Sequence, residues 1–305
     1  MIPPARRLLA VHAHPDDESI STGGTLARYV DEGVAVSLVT ATLGEEGEIL
    51  PGWLAGLAAG RADQLGGYRL AELAAATRAL GVHAWGLLGG VGRFRDSGMA
   101  GSPAATHPRA FVRADPADAA ALLADIIRRV RPHVVVTYDE HGGYGHPDHR
   151  RTVEVTLRAV AMARDSWPVA RVWGSARPAS ARADLVAGAP DLVAGAPDMG
   201  AGPTGEPDGT LTPEAAGGLS LARPDAEIDA AVDVTAWAGR KREALAAHAT
   251  QVDVAGDTYA LSTGQRLRIP PVEYYRVLVG ERPRAGTGGR GWVGDLFDGL
   301  DLPAG

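Results

Sequence analysis

The chain has 305 residues, 45% hydrophobic and 22% charged, which suits one soluble globular domain with room for a smaller appendage. Its net charge of −7 argues against a nucleic-acid surface. No window approaches the roughly 18–20 apolar residues of a membrane span, and no apolar core follows Arg6-Arg7 as in a signal peptide, so a cytoplasmic protein is expected. Cysteine is absent, which excludes disulfides, thiolate metal sites and cysteine nucleophiles and leaves a metal only histidine and carboxylate donors.

Residues 8–13 read as a buried first strand. It runs into Ala13-His14-Pro15-Asp16-Asp17-Glu18-Ser19-Ile20, where a histidine and three carboxylates crowd the end of the strand. Charges in such a place are costly unless paired or bound to a cation, and the carboxyl ends of strands are where open α/β sheets bind ligands. Helical spacing over 23–32, with Gly33 as its stop, and a second strand over 34–40 make a parallel strand–helix–strand unit with a right-handed crossover. The acidic, glycine-bearing stretch 41–48 leaves the same end of the sheet. Residues 61–80 predict a long helix, 82–87 a third strand, 89–106 a loop, and 118–130 an amphipathic helix ended by Pro132. The β-branched run 133–137 has the pattern of a fully buried parallel strand. A glycine-rich turn then leads into Tyr144-Gly145-His146-Pro147-Asp148-His149, and helix resumes from about 149 to 164.

From 177 to 223 the composition changes to Gly, Pro, Ala and Asp, and Asp-Leu-Val-Ala-Gly-Ala-Pro occurs twice in succession, at 184–190 and 191–197. This reads as a mobile surface insertion. Beyond it 229–234 predicts a strand, 237–248 a helix and 274–279 a closing strand, with the tail after 281 loosely held. The expected architecture is α/β: a Rossmann-like, mostly parallel sheet flanked by helices over 1–176, the insertion over 177–223, and a smaller C-terminal part over 224–305 that completes the fold.

Two His-Pro-Asp clusters at the ends of two predicted strands point to one metal site. Hydrolytic zinc sites typically use three protein ligands and keep one position open, and His14, Asp17 and His149 would supply two histidines and a carboxylate. Consecutive side chains diverge, so Asp16 is either free to take a proton from a metal-activated water or caps a helix N-terminus. His146 and His149 are three apart and can face one pocket from a first helical turn. One can then be a ligand and the other a proton donor, with Asp148 holding His146 in its tautomer and raising its pKa. Tyr144 can donate to a developing oxyanion, or simply pack over the glycine turn. Glu48, Arg69 and Asp96 lie on rim segments where they can bind sugar hydroxyls or remain solvated loop charges.

The motifs Ala13-His14-Pro15-Asp16-Asp17-Glu18 and His146-Pro147-Asp148-His149 resemble those of the zinc-dependent de-N-acetylases of the PIG-L/LmbE-like superfamily. The opening from Val11 to Ser21, the segment Gly92-Arg93-Phe94-Arg95-Asp96-Ser97-Gly98-Met99 and the late segment from Lys241 to Val252 are similar to its branch serving mycothiol biosynthesis. The resemblance implies removal of acetate from a small amino-sugar–inositol substrate, 1D-myo-inositol 2-acetamido-2-deoxy-α-D-glucopyranoside. It implies one Zn2+ per subunit (Fe2+ being accepted by such donors) on His14, Asp17 and His149, with Asp16 as general base, His146 as general acid and Tyr144 polarising the carbonyl. It also implies that Glu48, Arg69, Asp96 and Met99 line the substrate pocket. Mycothiol S-conjugate amidases carry a lysine after the first motif where this chain has Ser19-Ile20-Ser21, which favours the deacetylase over that amidase or a de-N-acetylase of another amino sugar. No nucleic-acid, membrane or obligate protein partner is expected.

Overall fold

The computed structural model describes residues 6–181, 221–284, 286 and 290–302. Its organisation follows from side-chain alternation in the first strand, β1 (Arg7–His12). Leu8 and Ala10 belong to one core cluster and Leu9 and Val11 to another, and all four are buried. A strand buried on both faces needs helices on both. On one face lie α2 (Gly23–Asp31), α3 (Leu65–Leu80) and α6 (Ala238–Ala247); on the other lie α4 (Pro116–Val130) and α5 (Pro147–Ala163).

Parallel pairing joins β3 (Ala84–Leu87), β2 (Ala35–Thr40), β1, β4 (Val134–Tyr138) and β5 (Arg171–Pro178) in that spatial order. The chain thus leaves β1 toward β2 on one side and later returns to β4 on the other. Loops leaving β1 and β4 diverge at that point and open a crevice at their carboxyl ends, the usual ligand position of such sheets. Both His-Pro-Asp clusters follow these two strands. The expected mostly parallel α/β sheet flanked by helices is therefore present.

The C-terminal part extends the same sheet. Here β11 (Val272–Val279) pairs antiparallel with β5 and with β7 (Ala230–Asp233), while the short β6 (Ala222–Arg223) pairs with β5. A separate antiparallel sheet holds β8 (Asp253–Ala255), β9 (Thr258–Ala260) and β10 (Arg266–Arg268). The repeated heptapeptide and most of the expected insertion, residues 182–220, lie outside the described residues.

Several boundaries differ from expectation for local reasons. Helix α3 begins at Leu65 rather than 61, because Asp63 adopts a left-handed φ of 54° that no helix continues through. Helix α4 begins two residues early, with Pro116 in the first turn and the Asp115 carboxylate accepting from the Ala117 N–H at 2.8 Å. The tail after 281 is not loosely held throughout. Val293, Leu296 and Phe297 are buried in the core, and the Leu296 carbonyl accepts from the Trp173 indole at 3.0 Å. Their apolar surface finds its cover against Tyr29, β5 and β7.

Lys241, the only lysine in the chain, is fully buried and donates to Glu273 at 2.6 Å and to the carbonyl of Ile20 at 3.0 Å. Glu273 also accepts the N–H groups of Gly24 and Thr25 at 2.9 and 2.8 Å, so a carboxylate sits at the N-terminus of α2 where the helix dipole favours it. Lys241→Met leaves that carboxylate buried beside apolar atoms and is expected to destabilise the protein by about 3–5 kcal/mol. Urea unfolding at neutral pH checks this, and a loss below about 1 kcal/mol would show that the helix N–H groups suffice alone.

Candidate active site

At the crevice, the donor groups of three residues converge. His14 Nδ1 lies 3.3 Å from His149 Nε2 and 3.4 Å from Asp17 Oδ2, and His149 Nε2 lies 3.4 Å from Asp17 Oδ1. A tetrahedral site with bonds of roughly 2.0–2.1 Å holds its donors about 3.3–3.4 Å apart; the two imidazole nitrogens have that spacing from each other, and each has an Asp17 oxygen at a like distance, Oδ2 beside His14 and Oδ1 beside His149. The chemistry of the set also fits a divalent ion: two imidazoles with free lone pairs and one carboxylate, all buried.

The surroundings fix which atoms point inward. The Nδ1 of His149 faces the carbonyl of Gly142 at 3.2 Å, which places the proton there and leaves Nε2 bare. The Nε2 of His14 faces Asp148 Oδ2 at 3.3 Å and Asp96 Oδ1 at 3.5 Å, which leaves Nδ1 bare. The Tyr138 hydroxyl accepts from the Ala13 N–H at 2.7 Å and donates to Asp17 Oδ2 at 2.6 Å, while its ring stacks on His149 at 4.1 Å. Tyr138 ends β4, so one rigid strand positions two of the three donors. Sequence reasoning passed over it, although its place between the β-branched run and the glycine turn marks the strand end.

His146 also approaches His14, with ring centroids 4.6 Å apart, and its donor atoms fall within 4.8 Å of those of His14 and His149. Its role in the fold differs. It opens α5, and its Nδ1 accepts from the Asp148 N–H at 3.1 Å, so only Nε2 is left for the cavity. The expectation that the Asp148 carboxylate orients His146 and raises its pKa fails on this geometry. That carboxylate is fully buried and turned to His14 and to the Ser97 N–H (2.9 Å), away from the cavity wall. Burial, with His14 and His149 beside it, pushes the His146 ring down to about 2.

Asp16 sits at φ 114°, a left-handed conformation that costs a non-glycine residue about 1–3 kcal/mol. It precedes α1 (Asp17–Ser21), yet its side chain makes no capping bond, so the helix-cap alternative is not what this carboxylate does. It accepts instead from Arg69 at 3.0 Å. Arg69 also donates to the carbonyls of Gly44, at 2.6 Å, and Pro15, so its guanidinium is occupied in fixing the loop as well as facing the cavity. Burial raises the Asp16 carboxyl to about 6 against the opposing pull of Arg69, a value suited to exchanging a proton near neutral pH.

These groups line a cavity of about 380 Å³. His14, Asp16, Asp17, Tyr144, His146 and His149 form its floor and wall, and Glu48, Arg69, Asp96 and Met99 all border it. Tyr144 lies over His149 with ring centroids 5.0 Å apart, and burial raises its phenol, keeping the proton available for donation. Its turn is tied down by Asp139, which accepts from the Gly143 N–H at 2.9 Å and from Arg223 at 2.8 Å. The same cavity is bordered by residues not anticipated: Glu46, Gln251, and Leu261, Ser262 and Thr263 from the loop between β9 and β10. That small sheet announced itself by Gly256-Asp257, a two-residue hairpin loop with Gly256 at φ 60° between β8 and β9.

The match to a family model, GlcNAc-PI de-N-acetylase (PIG-L), covers residues 9–160. The chain is 53% identical to the 1D-myo-inositol 2-acetamido-2-deoxy-α-D-glucopyranoside deacetylase of Acidothermus cellulolyticus, over 97% of this chain and 96% of that protein. It is 49% identical to the protein of the same name from Geodermatophilus obscurus, over 97% and 99%. Among solved structures, GalB, the 4-carboxy-2-hydroxymuconate hydratase of Pseudomonas putida, superposes with a TM-score of 0.55 at 18% identity, covering 93% of this chain and 99% of that one. That likeness concerns the fold alone.

Tyr138→Phe removes the hydroxyl that bridges Ala13 and Asp17 and leaves the ring stack in place. Zinc affinity, read by competition with a chromogenic chelator, is expected to fall about 10–100-fold. An unchanged affinity would mean that Asp17 is held without it or is not a ligand.

Proposed function

The chain belongs to the GlcNAc-PI de-N-acetylase (PIG-L) family, and from that premise we propose that it hydrolyses the acetamide of 1D-myo-inositol 2-acetamido-2-deoxy-α-D-glucopyranoside. The products are acetate and the free amine, a step of mycothiol biosynthesis. The cofactor in this reading is one divalent ion, zinc, held by His14, Asp17 and His149. The observation that carries the reading is the approach of the two imidazole nitrogens and the Asp17 carboxylate to 3.3–3.4 Å of one another, beside a half-buried Asp16 carboxylate that makes no capping bond, in a small cavity.

When bound, the metal supplies Lewis acidity toward the amide carbonyl and makes a water more acidic. Asp16, with its carboxyl at about 6, takes a proton from the attacking water as the oxygen adds to the carbonyl carbon. Tyr144 donates its phenolic hydrogen toward the carbonyl oxygen as negative charge develops there. His146 presents Nε2 to the cavity; as imidazolium, formed when the ring takes up the proton that Asp16 removed from the water, it protonates the leaving nitrogen as the C–N bond breaks. The ring is neutral in the resting pocket, and the negative charge developing beside it offsets the burial that disfavours its protonated form. The proton that leaves the water for Asp16 thus passes through His146 to the amine, which returns Asp16 to its carboxylate and His146 to its neutral ring.

The cavity lies at the low end of the roughly 300–1,000 Å³ common for small-ligand sites, which suits a compact amino sugar. Its lining is polar where hydroxyls would sit, with Glu48 and the buried Asp96 and Arg69. Met99, 40% exposed, offers an apolar edge to a sugar face. Nearby, Ile20 and Ser21 border the cavity at the stretch where the related amidases carry a lysine.

Asp16→Asn keeps the shape and loses the base, so kcat is expected to fall on the order of 10²–10⁴-fold with metal content unchanged. Near-normal turnover would remove Asp16 from the role, whereas loss of metal would move it into the ligand set. In parallel, amine release from the acetylated glucosaminyl-inositol is expected to exceed cleavage of a bulky mycothiol conjugate. The reverse preference would make the chain an amidase acting through the same site.

A further inference from the structure

Asp16 is free to face the cavity because another residue holds its backbone. Ser19 and Ile20 both donate to its carbonyl at 2.9 Å, which makes Asp16 the residue that opens α1. An aspartate there ordinarily turns its carboxylate back onto the helix N–H groups. Here Glu18 reaches back instead, and its Oε2 accepts from the Asp16 N–H at 3.0 Å, the return half of a capping box made one residue early. Its other oxygen, Oε1, accepts from the Ser19 hydroxyl at 2.6 Å and faces His248 Nε2 at 2.7 Å.

Glu18 and His248 are both fully buried, and neither borders the cavity. A buried charge pair is weak evidence for stability, since apolar side chains of similar volume often serve as well or better. What this pair touches is, among the described residues, the one non-glycine backbone position beside the site with strongly positive φ. His248 directly follows α6, in the C-terminal part of the chain, so a distant segment bears on the Asp16 loop without reaching the substrate.

Resting on the reading of Asp16 as the base, we propose that Glu18 and His248 are a positioning pair that holds the Asp16 backbone in its left-handed conformation and so aims its carboxylate into the cavity. Glu18 fixes the Asp16 N–H, and His248 fixes the rotamer of Glu18. Arg69 holds the carboxylate itself. The three residues together leave Asp16 one place to point.

The test uses the metal-loaded full-length enzyme. His248→Leu keeps bulk and removes the donor, and it is expected to lower kcat about 10–100-fold while KM and bound metal stay unchanged. His248→Gln places an amide N–H toward Glu18 and is expected to recover most of that loss. In an Asp16→Ala background, His248→Leu should add no further loss, because the group it positions is gone. An unchanged kcat in folded His248→Leu, an absence of rescue by glutamine, or full additivity with Asp16→Ala overturns the pair. A high kcat in Asp16→Ala alone would instead overturn the reading of Asp16. If His248→Leu does not yield folded protein by circular dichroism, His248→Asn, too short to reach Glu18, takes its place with the same expectations.

Discussion

Two imidazole nitrogens held 3.3 Å apart, each with an oxygen of Asp17 at 3.4 Å, in a largely buried crevice are the constraint on which the rest of the molecule depends. Left to themselves, two imidazoles and a carboxylate would turn away toward better partners. Each is prevented from doing so by a further bond: Gly142 for His149, Asp148 and Asp96 for His14, and Tyr138, on Oδ2, for Asp17. These outer partners orient the ring nitrogens and choose which is bare. The sheet brings the two loops together, and the outer hydrogen bonds turn that proximity into a donor set.

The same principle explains why the C-terminal part is built into the sheet rather than appended to it. Lys241 and Glu273 meet at the start of α2, and His248 meets Glu18 in α1, so two buried pairs fasten the segment around α6 to the segment carrying the first motif. Burial opposes charge on both members of the second pair, yet each stabilises the charged form of the other, with Glu18 held below and His248 above its ordinary pKa. Such pairs are poor sources of stability and good sources of geometric definition, because an unpaired alternative is costly.

Fold and chemistry separate cleanly here. A hydratase shares the fold at 18% identity, so the sheet and its crevice do not by themselves select a reaction. Selection lies in the side chains on two loops after β1 and β4, and in a rim assembled from the loop after β2, the Gly89–Thr106 stretch and the turn between β9 and β10.

Much of this was legible in the sequence, and the pattern of what was not is physical. The β-branched run of β4, the alternation in β1 and the two His-Pro-Asp clusters identified the buried strands and placed His14, Asp17 and His149 together, because strand ends in a parallel sheet share one face. Strand β5 escaped notice: its Gly174 lies where a Cβ would meet the backbone of Tyr138 and Asp139 at 2.9 Å, and a glycine chosen for close approach gives no strand signal. The tail after 281 read as loose because three apolar residues among glycines show no period, although the core covers them. The role of Asp148 was misassigned because spacing along the chain places it near His146, while the helix turns its carboxylate to His14. The sequence by itself determined the residue types and the sheet end at which they gather, since periodicity and turn chemistry are local. Only the tertiary structure decided which nitrogen is bare, which carboxylate caps and which is free, and that His248 stands behind Asp16, because those outcomes depend on hydrogen-bond geometry, part of it with distant partners: Asp148 lies 134 residues from His14 and His248 lies 230 from Glu18.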